Sequence, residues 1–509
     1  MFNSILFCDK LEQKLCYSEP DFFRDLNIDQ LVNPILEKEK NVDLSPFYYT
    51  TLKNEDEVLF RQEIYKDIIF NDTNIFDRFS SDICSLKECS KRALEDLNSN
   101  DSWRCNYLLY GHILDYIDKY IKAVKNFSNE LSNMNIKSEG IKNAVEGINE
   151  LCKSAFFMEM EEKNKKIKSE FSNERYCMLI KNGTIHVKKY EGEENLSDKI
   201  AKVFEKFNDE EGEGYTRNLA EVPRANHVEA GILKCLSTLY PKMFNNLKEY
   251  AGKYVDFVDD GLLNFCKEIR FYISWTLVAE SLNKYGLPMC FPKFDNNEIY
   301  GSNVYDIVLA ESIGEKIIKN DFYMKSPERI FVVTGPNQGG KTTFARTIGQ
   351  INYIASLGLN IPGTSAKIIL PDKIFTHFER EEMLSNLSGK LEDDLKRLYD
   401  VLNNATNRSL IIINEIFAST VLEDAEKLGY HMMEHLVNLK SICVIVTFLD
   451  ALAKYNKDTV SIVSELDKND SGVRTFKMVR KSPVGFASAM TLAKKHGLTY
   501  EQIKRRVSL

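Results

Sequence analysis

The spacing of apolar residues changes along the chain, from helical intervals to short strand-like runs, and so predicts two kinds of domain. Up to about residue 295 the apolar positions recur mostly every three or four residues, which predicts amphipathic helices. Predicted helices cover Asn54–Phe70, Ser102–Leu131, Ile141–Ala155 and most of His227–Tyr285. In the first of these, Asn54 is a favourable N-cap, and we expect the charged side chains of Arg61 and Glu63 to face solvent.

A short β element interrupts these helices. Cys177–Lys188 places Asn182 and Gly183 between two β-rich runs, which favours a type I′ hairpin turn because both turn residues need a positive φ. Before it, the mixed charge run Glu159–Lys168 predicts a solvated helix end, with a nucleic-acid contact as the alternative. After it, Asn208–Gly214 predicts an acidic loop.

From residue 296 onwards apolar runs alternate with helical segments, which predicts an α/β domain. The predicted strands are Arg329–Thr334, Arg408–Glu415 and Ser441–Thr447. A predicted helix over Thr342–Leu357 follows the first strand, with apolar residues at helical intervals. The predicted organisation is therefore a helical domain over residues 1–295 and an α/β domain over residues 296–509.

The stretch FVVTGPNQGGKTT, residues 331–343, joins the first strand to this helix and fills the template of a phosphate-binding P-loop. Gly335, Gly340, Lys341 and Thr342 occupy the G-x-x-x-x-G-K-[ST] positions. In such a loop, backbone N–H groups at a helix N-terminus cradle phosphates, the lysine reaches the β and γ oxygens, and the hydroxyl meets Mg²⁺. These residues predict a nucleotide-binding site.

Two polar residues at the end of the second predicted strand bear on hydrolysis. Glu415 is placed to orient or deprotonate a water that attacks the γ-phosphate. Its neighbour Asn414 stands where P-loop ATPases normally place an aspartate for the Mg²⁺ shell. Because the amide oxygen carries no formal charge, and charge-assisted hydrogen bonds are about twice as strong as neutral ones, we expect weakened metal binding and slow hydrolysis.

Composition narrows the class of protein. The 509 residues have a formal net charge of −8 and are 43% hydrophobic and 28% charged, as in ordinary globular proteins. This charge argues against a uniformly basic nucleic-acid surface but allows a local basic face. The eleven cysteines form no zinc or disulfide pattern. With no signal peptide and no apolar run long enough for a membrane helix, a cytoplasmic protein without a membrane partner is expected.

The segment His431–His435, HMMEH, matches the H-x-x-E-H pattern of one class of zinc peptidase. It lies on the predicted helix between two strands of the nucleotide-binding sheet, where such a face usually packs or points to solvent. Zinc catalysis is therefore an alternative that rests on a short pattern alone.

Four segments in the C-terminal part of the chain resemble the MutS superfamily, the ATPases of DNA mismatch repair and their relatives. They are TGPNQGGKTT (334–343), LNIPGTSAKIILPDKIFTHF (359–378), LNNATNRSLIIINEIFAST (402–420) and SPVGFASAMTLAKKHGLTYEQIKRRV (482–507). Upstream, DEVLFRQEIYKDI and YGLPMCFP resemble the family's core and lever helices. The resemblance implies an α/β P-loop ATPase domain of the ABC type over 296–509, preceded by a helical core and lever domain over 1–295 with a reduced β clamp around 174–215.

The resemblance also implies a role for single residues, with ATP and Mg²⁺ as the cofactors. Expected nucleotide-binding residues are Gly335, Pro336, Asn337, Gln338, Gly339, Gly340, Lys341, Thr342, Thr343, Asn414, Ser388 and Gly389. Glu415 and Lys341 are the expected catalytic residues. Thr342 and Asn414 are the expected Mg²⁺ ligands, partly through water.

In the family, a signature loop reaches across a dimer to the partner's γ-phosphate. Here that loop falls near Ser388, Gly389 and Lys390, and Thr420 and Asp424 line the dimer-facing loop. The resemblance therefore implies a homodimer, formed through the ATPase domains, with two composite sites.

The chain departs from the family pattern at several positions. The Walker B aspartate is Asn414, the switch histidine is Phe448, the adenine-stacking aromatic falls at Ile317, and Lys390 stands where the family has a threonine. Because the chain begins almost directly with the lever helices, we expect no mismatch-recognition or connector domain before them.

These features lead to a hypothesis and a rival. The first is a slowly hydrolysing, MutS-related homodimer that couples ATP to lever movement and to DNA in repair or recombination, with backbone contacts through Lys181, Lys188 and Lys189 but without mismatch specificity. The rival is a non-catalytic, nucleotide-gated scaffold that binds a protein partner.

Overall fold

The computed structural model describes residues 2–8, 15–39, 42–98, 106–193, 227–379, 390–417, 420–467, 473–483 and 498–507. Contacts within the chain define two units. The helical unit comprises Met1–Asn3, Asp77–Met134 and Asn143–Cys266, and the sheet unit comprises Ser4–Phe76, Asn135–Lys142 and Lys267–Leu509. In the described residues no helix is both long and apolar enough to cross a membrane.

Helices of the described residues follow one another in chain order. They are α1 (Phe22–Asp25), α2 (Asp29–Lys38), α3 (Ser45–Tyr49), α4 (Glu55–Phe70), α5 (Thr73–Asn98), α6 (Asn106–Ser132), α7 (Glu139–Lys153), α8 (Ala155–Asn173), α9 (His227–Leu239), α10 (Pro241–Tyr254), α11 (Asp260–Asn283), α12 (Ile307–Ile313), α13 (Lys341–Ser356), α14 (Lys390–Asn404), α15 (Leu422–Leu439) and α16 (Tyr500–Val507). Three helices, α5, α7 and α11, contribute residues to each unit.

The strands are fewer and lie mainly in the second half of the chain. They are β1 (Tyr176–Lys181), β2 (Thr184–Lys189), β3 (Met289–Cys290), β4 (Lys293–Phe294), β5 (Glu298–Val304), β6 (Asn320–Lys325), β7 (Ile330–Thr334), β8 (Ile361–Pro362), β9 (Ser365–Ile368), β10 (Ile374–His377), β11 (Leu410–Asn414), β12 (Ile442–Val446), β13 (Thr459–Leu466) and β14 (Arg474–Arg480).

In the helical unit, α6 packs against α8 and α10. Asn164 of α8 is buried, and its Nδ2 donates to the Leu114 carbonyl oxygen of α6 at 2.9 Å and to the Tyr250 hydroxyl of α10 at 3.1 Å. Both N–H groups of this buried amide are thus satisfied by the two neighbouring helices, which favours the observed packing.

Two details of the predicted helices differ in the structure. The segment predicted as one helix over residues 141–155 breaks at Ser154, whose hydroxyl accepts a hydrogen bond from the Phe157 N–H at 3.2 Å and so starts a new helix. The charge run Glu159–Lys168 then lies inside α8 rather than at a helix end. Several of its charges are paired with neighbouring helices, as in the contact between Glu161 and Lys125 at 2.5 Å.

The predicted hairpin is present. β1 and β2 pair in antiparallel register, with Lys181 opposite Thr184, and Asn182 and Gly183 adopt φ values of 51° and 74° in the turn. Most residues of β1 are exposed, including Ile180 at 79%. The acidic loop predicted at residues 208–214 lies outside the described residues.

The sheet unit contains a six-stranded sheet in the order β10–β11–β12–β7–β13–β14. The first five strands are parallel, and β14 is antiparallel to β13. β7, β11 and β12 are fully buried, as expected for parallel strands covered on both faces. Because the carboxyl ends of parallel strands meet at one edge, that edge holds the P-loop after β7, Asn414 and Glu415 at the end of β11, and Thr447 and Phe448 after β12.

A second, smaller sheet has the order β4–β9–β5–β6, and β3 pairs with β8. Together these strands and the long sheet confirm a P-loop α/β fold in the second half of the chain.

Arg61 was expected to face solvent, and this expectation is wrong. The Arg61 side chain is fully buried, whereas Glu63 is exposed as predicted. Arg61 Nε donates to the Leu6 carbonyl oxygen at 2.7 Å, and Nη1 donates to the Leu357 carbonyl oxygen at 3.1 Å. Gly358 leaves room for this side chain, because a Cβ added there would lie 2.4 Å from the Arg61 Cβ.

The helical pattern itself explains the burial of Arg61. Position 61 lies on the same face of α4 as Val58 and Tyr65, both fully buried. A guanidinium is tolerated on such a face because its long apolar stem packs in the core and carbonyl oxygens from distant segments accept from its N–H groups.

Near this site, Glu268 is buried on α11 and binds the N-terminal segment. Its Oε1 accepts from the Ser4 hydroxyl at 2.7 Å, and its Oε2 accepts from the Ile5 N–H at 2.6 Å. Tyr272, one turn further on, donates to the Ile5 carbonyl oxygen at 2.8 Å. Burial raises the pKa of Glu268 to about 7, although the hydrogen bonds from Ser4 and Ile5 favour the charged form.

This pKa predicts a pH-dependent stability. The pKa in the folded state lies above the ordinary value of 4.5, so the stabilisation is present below about pH 4.5 and is lost as the pH rises through about 7. Since one pKa unit corresponds to about 1.4 kcal/mol, the wild type should lose on the order of 3 kcal/mol of unfolding free energy relative to Glu268→Gln across this range. Denaturant unfolding at several pH values measures the difference.

The matched control is Glu63→Gln, which removes an exposed carboxylate and should leave the pH profile of the wild type unchanged. Parallel profiles for the wild type and Glu268→Gln would contradict the assignment.

Candidate nucleotide-binding site

The P-loop adopts a conformation that its glycines permit. Gly335 and Gly340 have φ values of 120° and 89°, and Gln338 has a φ of 59°. Ser464 of β13 lies directly behind the loop, and its hydroxyl donates to the Gly339 carbonyl oxygen at 2.7 Å. A Cβ added at Gly339 would approach Ser464 Oγ to 2.3 Å, and one at Gly335 would lie 3.0 Å from Ser464 Cβ. The glycines therefore let the loop pack closely on β13.

Lys341 is held inside the loop at the start of α13. Its Nζ donates to the carbonyl oxygens of Gly335 and Pro336 at 3.0 and 3.1 Å and to Asn337 Oδ1 at 3.3 Å. Burial lowers the pKa of Lys341, the Glu415 carboxylate opposes this effect, and the charge of Arg474 adds to it. The ammonium is thus positioned where the template places a phosphate-binding lysine.

The residues expected to hold Mg²⁺ meet where α13 begins and β11 ends. The Thr342 hydroxyl donates to Asn414 Oδ1 at 2.9 Å. Glu415 follows with a φ of 54°, and its N–H bonds the Val446 carbonyl oxygen of β12 at 2.9 Å. Hydroxyl, amide and carboxylate oxygens are the ligands that Mg²⁺ prefers, so this set of side chains fits the ion.

A cleft of about 380 Å³ connects these residues to an apolar wall. It is lined by Asp306, Leu309, Ile313, Lys316, Ile317, Ile318, Asn320, Gln338, Gly339, Gly340, Lys341, Thr342, Thr343, Phe344, Thr347, Glu415 and Phe476. The polar residues of the P-loop and Glu415 are thus joined to the apolar side chains of α12 and of the segment after it. A cleft with one polar and one apolar part suits the phosphates and the base of a nucleotide.

The structure adds residues that the sequence did not mark. Phe476 of β14 lines the cleft with a φ of 57°, 46% of it exposed. Asn320 holds this strand, since its Nδ2 donates to the Phe476 carbonyl oxygen at 3.2 Å and its Oδ1 accepts from the Met478 N–H at 2.8 Å. Ile317, expected at the adenine position, also lines the cleft. No sequence signal distinguishes Ser464, Asn320 or Phe476 from other strand residues.

Other predicted residues lie apart from the cleft or outside the described residues. Ser388 and Gly389 lie outside the described residues, and only the backbone of Lys390 is described, at the start of α14. Thr420 is half-buried and Asp424 is exposed in the first turn of α15. Phe448 is 48% exposed and is not among the described residues that line the cleft.

The alternative zinc pattern lies on the surface of α15. His431 and Glu434 side chains are 78% and 65% exposed, and His431 Nδ1 lies 4.0 Å from Glu434 Oε2. Within the described ranges no group of three or more His, Cys, Asp or Glu side chains is arranged to hold a metal ion.

Comparisons with known proteins agree with this geometry. Residues 331–506 match the family model described as MutS domain V. DNA mismatch repair protein MutS of Thermosipho melanesiensis is 28% identical over 196 residues, which cover 38% of this chain and 23% of that protein. MutS of Acholeplasma laidlawii is 29% identical over 312 residues, or 56% of this chain and 36% of that protein. DNA mismatch repair protein MSH4 of Arabidopsis thaliana is 30% identical over 146 residues, which cover 29% of this chain and 18% of that protein.

The matched segments therefore span between 18% and 36% of the length of these relatives. The family-model match over residues 331–506 includes the P-loop, the strand that ends in Asn414, and the strand β12 that lies between it and β7. Motif, sheet order and family model therefore agree that residues 331–506 resemble the P-loop ATPase domain of the MutS family.

Proposed function

We propose that this chain binds ATP with Mg²⁺, hydrolyses it slowly, and couples the nucleotide state to DNA binding in repair or recombination. The observation that carries the proposal is that Lys341, Thr342 and Glu415 line one cleft with an apolar wall, and that Asn414 accepts a hydrogen bond from Thr342. The MutS domain V match supports the ATPase assignment, and the names of the relatives support the link to DNA repair.

Each residue has a defined part in this proposal. The P-loop N–H groups and Lys341 bind the β- and γ-phosphates, and Glu415 orients or deprotonates the attacking water. Thr342 and Asn414 would hold Mg²⁺, which supplies charge stabilisation to the phosphates when bound. Phe476 and the apolar wall take the nucleobase.

Slow hydrolysis follows from Asn414. Its Oδ1 accepts a hydrogen bond from the Thr342 hydroxyl at 2.9 Å, as an aspartate oxygen at this position could. Unlike an aspartate, however, Asn414 brings no negative charge. The metal shell is therefore weaker, while the phosphate cradle is complete.

The proposal includes a homodimer formed through the ATPase domains. Support comes from the start of α15, where Val421 and Leu422 are 64% and 59% exposed beside Asp424. Exposed apolar residues of this kind at a loop expected to face a partner favour a protein interface.

One observation favours the rival function, a nucleotide-gated scaffold for a protein partner. On the hairpin, Lys188 forms ion pairs with Glu191 and Glu193, so its charge is not available to a phosphate without competition. Met178 and Ile180 of β1 are 49% and 79% exposed. The hairpin is therefore more apolar than its lysines suggest, which suits a protein surface.

Substitution of the P-loop lysine tests nucleotide binding. Lys341→Ala removes a charged donor to the phosphates, and a hydrogen bond to a charged group contributes about 1.5–3 kcal/mol, so we expect Mg-ATP affinity to fall on the order of 10- to 100-fold. Calorimetric titration measures it. Lys457→Ala, exposed before the amino end of β13, is the control. Equal affinities of wild type and Lys341→Ala would contradict the site.

Restoring the missing charge tests the explanation for slow hydrolysis. Asn414→Asp should raise the single-turnover rate at saturating ATP on the order of tenfold, equivalent to about 1.4 kcal/mol of barrier, and lower the Mg²⁺ concentration required. Asn404→Asp adds the same charge on an exposed helix end before β11 and should change neither quantity. An unchanged rate in Asn414→Asp would refute the role assigned to this position.

The DNA part of the proposal predicts a salt-dependent affinity. Binding to duplex or branched DNA should weaken as salt rises, and Lys181→Gln should reduce the slope of log affinity against log salt by about 1. Lys188→Gln should change it less, because Glu191 and Glu193 already neutralise that charge. Fluorescence anisotropy over a salt series gives these slopes. Absence of salt-dependent DNA binding would instead favour the protein-binding scaffold.

A further inference from the structure

Gln350 in the P-loop helix joins three separate segments of the sheet unit. Its side chain is fully buried on α13. Nε2 donates to the Leu26 carbonyl oxygen at 2.9 Å and to Asp306 Oδ1 at 3.0 Å, and Oε1 accepts from the Ile307 N–H at 3.1 Å. Both ends of the amide are thus bonded, and this defines its orientation. If the amide were flipped, its oxygen would face two other acceptor oxygens, those of Leu26 and Asp306.

Asp306 uses the same carboxylate to begin α12. Its Oδ1 accepts from the N–H groups of Val308 and Leu309 at 3.1 and 3.0 Å, as well as from Gln350. Asp306 is 4% exposed, and burial raises its pKa while the bonds from Leu309 and Gln350 oppose the rise. The start of α12 is therefore attached directly to the P-loop helix.

The N-terminal segment supports Gln350 from the other side. Leu26 packs on Gly349, where an added Cβ would lie 2.7 Å from the Leu26 methyl carbons. Arg346 Nε donates to the Asp25 carbonyl oxygen at 2.9 Å, and Asp25 Oδ2 accepts from the Thr376 hydroxyl at 2.6 Å. This segment cannot shift without disturbing the same face of α13.

We propose that Gln350 and Asp306 are positioning residues for the nucleobase side of the cleft, and that they govern affinity for the base rather than for the phosphates. The proposal rests on the proposed nucleotide-binding function. Asp306, Leu309 and Ile313 line the cleft on the wall formed by α12. The phosphate cradle, by contrast, is built from backbone groups at the N-terminus of α13 and from Ser464, and Gln350 bonds none of these groups.

Two probes separate the halves of the cleft. Mg-ATP contacts both halves, whereas inorganic tripolyphosphate with Mg²⁺ contacts only the phosphate half. Gln350→Met keeps the length of the side chain but removes its hydrogen bonds, so ATP affinity should fall on the order of tenfold while tripolyphosphate affinity stays within about twofold. Asp306→Ala should behave in the same way, and Asp306→Asn, which keeps an acceptor oxygen, should recover part of the loss.

The matched control is Asn352→Leu. Asn352 is a buried amide on the same helix, and its Nδ2 bonds the Ile348 carbonyl oxygen of that helix at 2.8 Å. The Asn352→Leu variant should leave the ratio of ATP affinity to tripolyphosphate affinity unchanged. Thermal unfolding of every variant identifies those that fail to fold. If the Gln350 and Asp306 variants do not fold, Leu309→Ala still tests the inference, because Leu309 lies on the α12 wall and is 37% exposed. This variant should lower the affinity for ATP but not that for tripolyphosphate.

The outcomes distinguish this inference from the function on which it rests. A wild type that binds neither probe overturns the nucleotide-binding function and the inference with it. A wild type that binds both probes while Gln350→Met and Leu309→Ala weaken both equally, or neither, overturns the inference alone.

Discussion

The P-loop helix α13 is buried over nearly its whole length, and both halves of the cleft depend on where it lies. At its N-terminus the backbone N–H groups face the loop that Ser464 supports from β13. At its C-terminus, Arg61 donates to the Leu357 carbonyl oxygen. A buried positive charge at this end complements the helix dipole and satisfies a carbonyl that has no partner within the helix. The position of α13 is thus determined at both ends.

Charge in the cleft is unevenly distributed. Lys341 and the N-terminus of α13 supply positive potential, and Glu415 is the carboxylate that faces them. With Asn414 beside it, this arrangement favours a polyanion more than a divalent cation, because the cation loses one charged partner while the phosphates keep all of theirs. In the proposed function, the missing charge at Asn414 therefore affects the metal and hydrolysis more than it affects the binding of the phosphates.

Local patterns predicted the parts of the fold that local chemistry determines. The P-loop and the hairpin turn depend on positive φ values at a few consecutive residues, so Gly335, Gly340 and the pair Asn182 and Gly183 were sufficient to place them. Residues whose role comes from distant contacts were not predictable. The acceptors that bury Arg61 are 55 and 296 residues away in the chain, and Phe476 reaches the cleft through the pairing of β14 with β13.

The first 50 residues illustrate the same limit and extend the argument to folding. Asp25 and Leu26 bond side chains of α13 across 321 and 324 positions in the chain. Loop-closure entropy grows only slowly with length, so the main cost of these contacts is the local ordering of the segment. That cost is offset by packing on Gly349 and by the hydrogen bond from Gln350, and both require that α13 is already formed. Conversely, residues 296–509 without this segment would leave the Gln350 amide with one acceptor fewer and Arg346 without its carbonyl partner. The N-terminal segment and the P-loop helix therefore stabilise one another, and the α/β part of the chain is complete only with both.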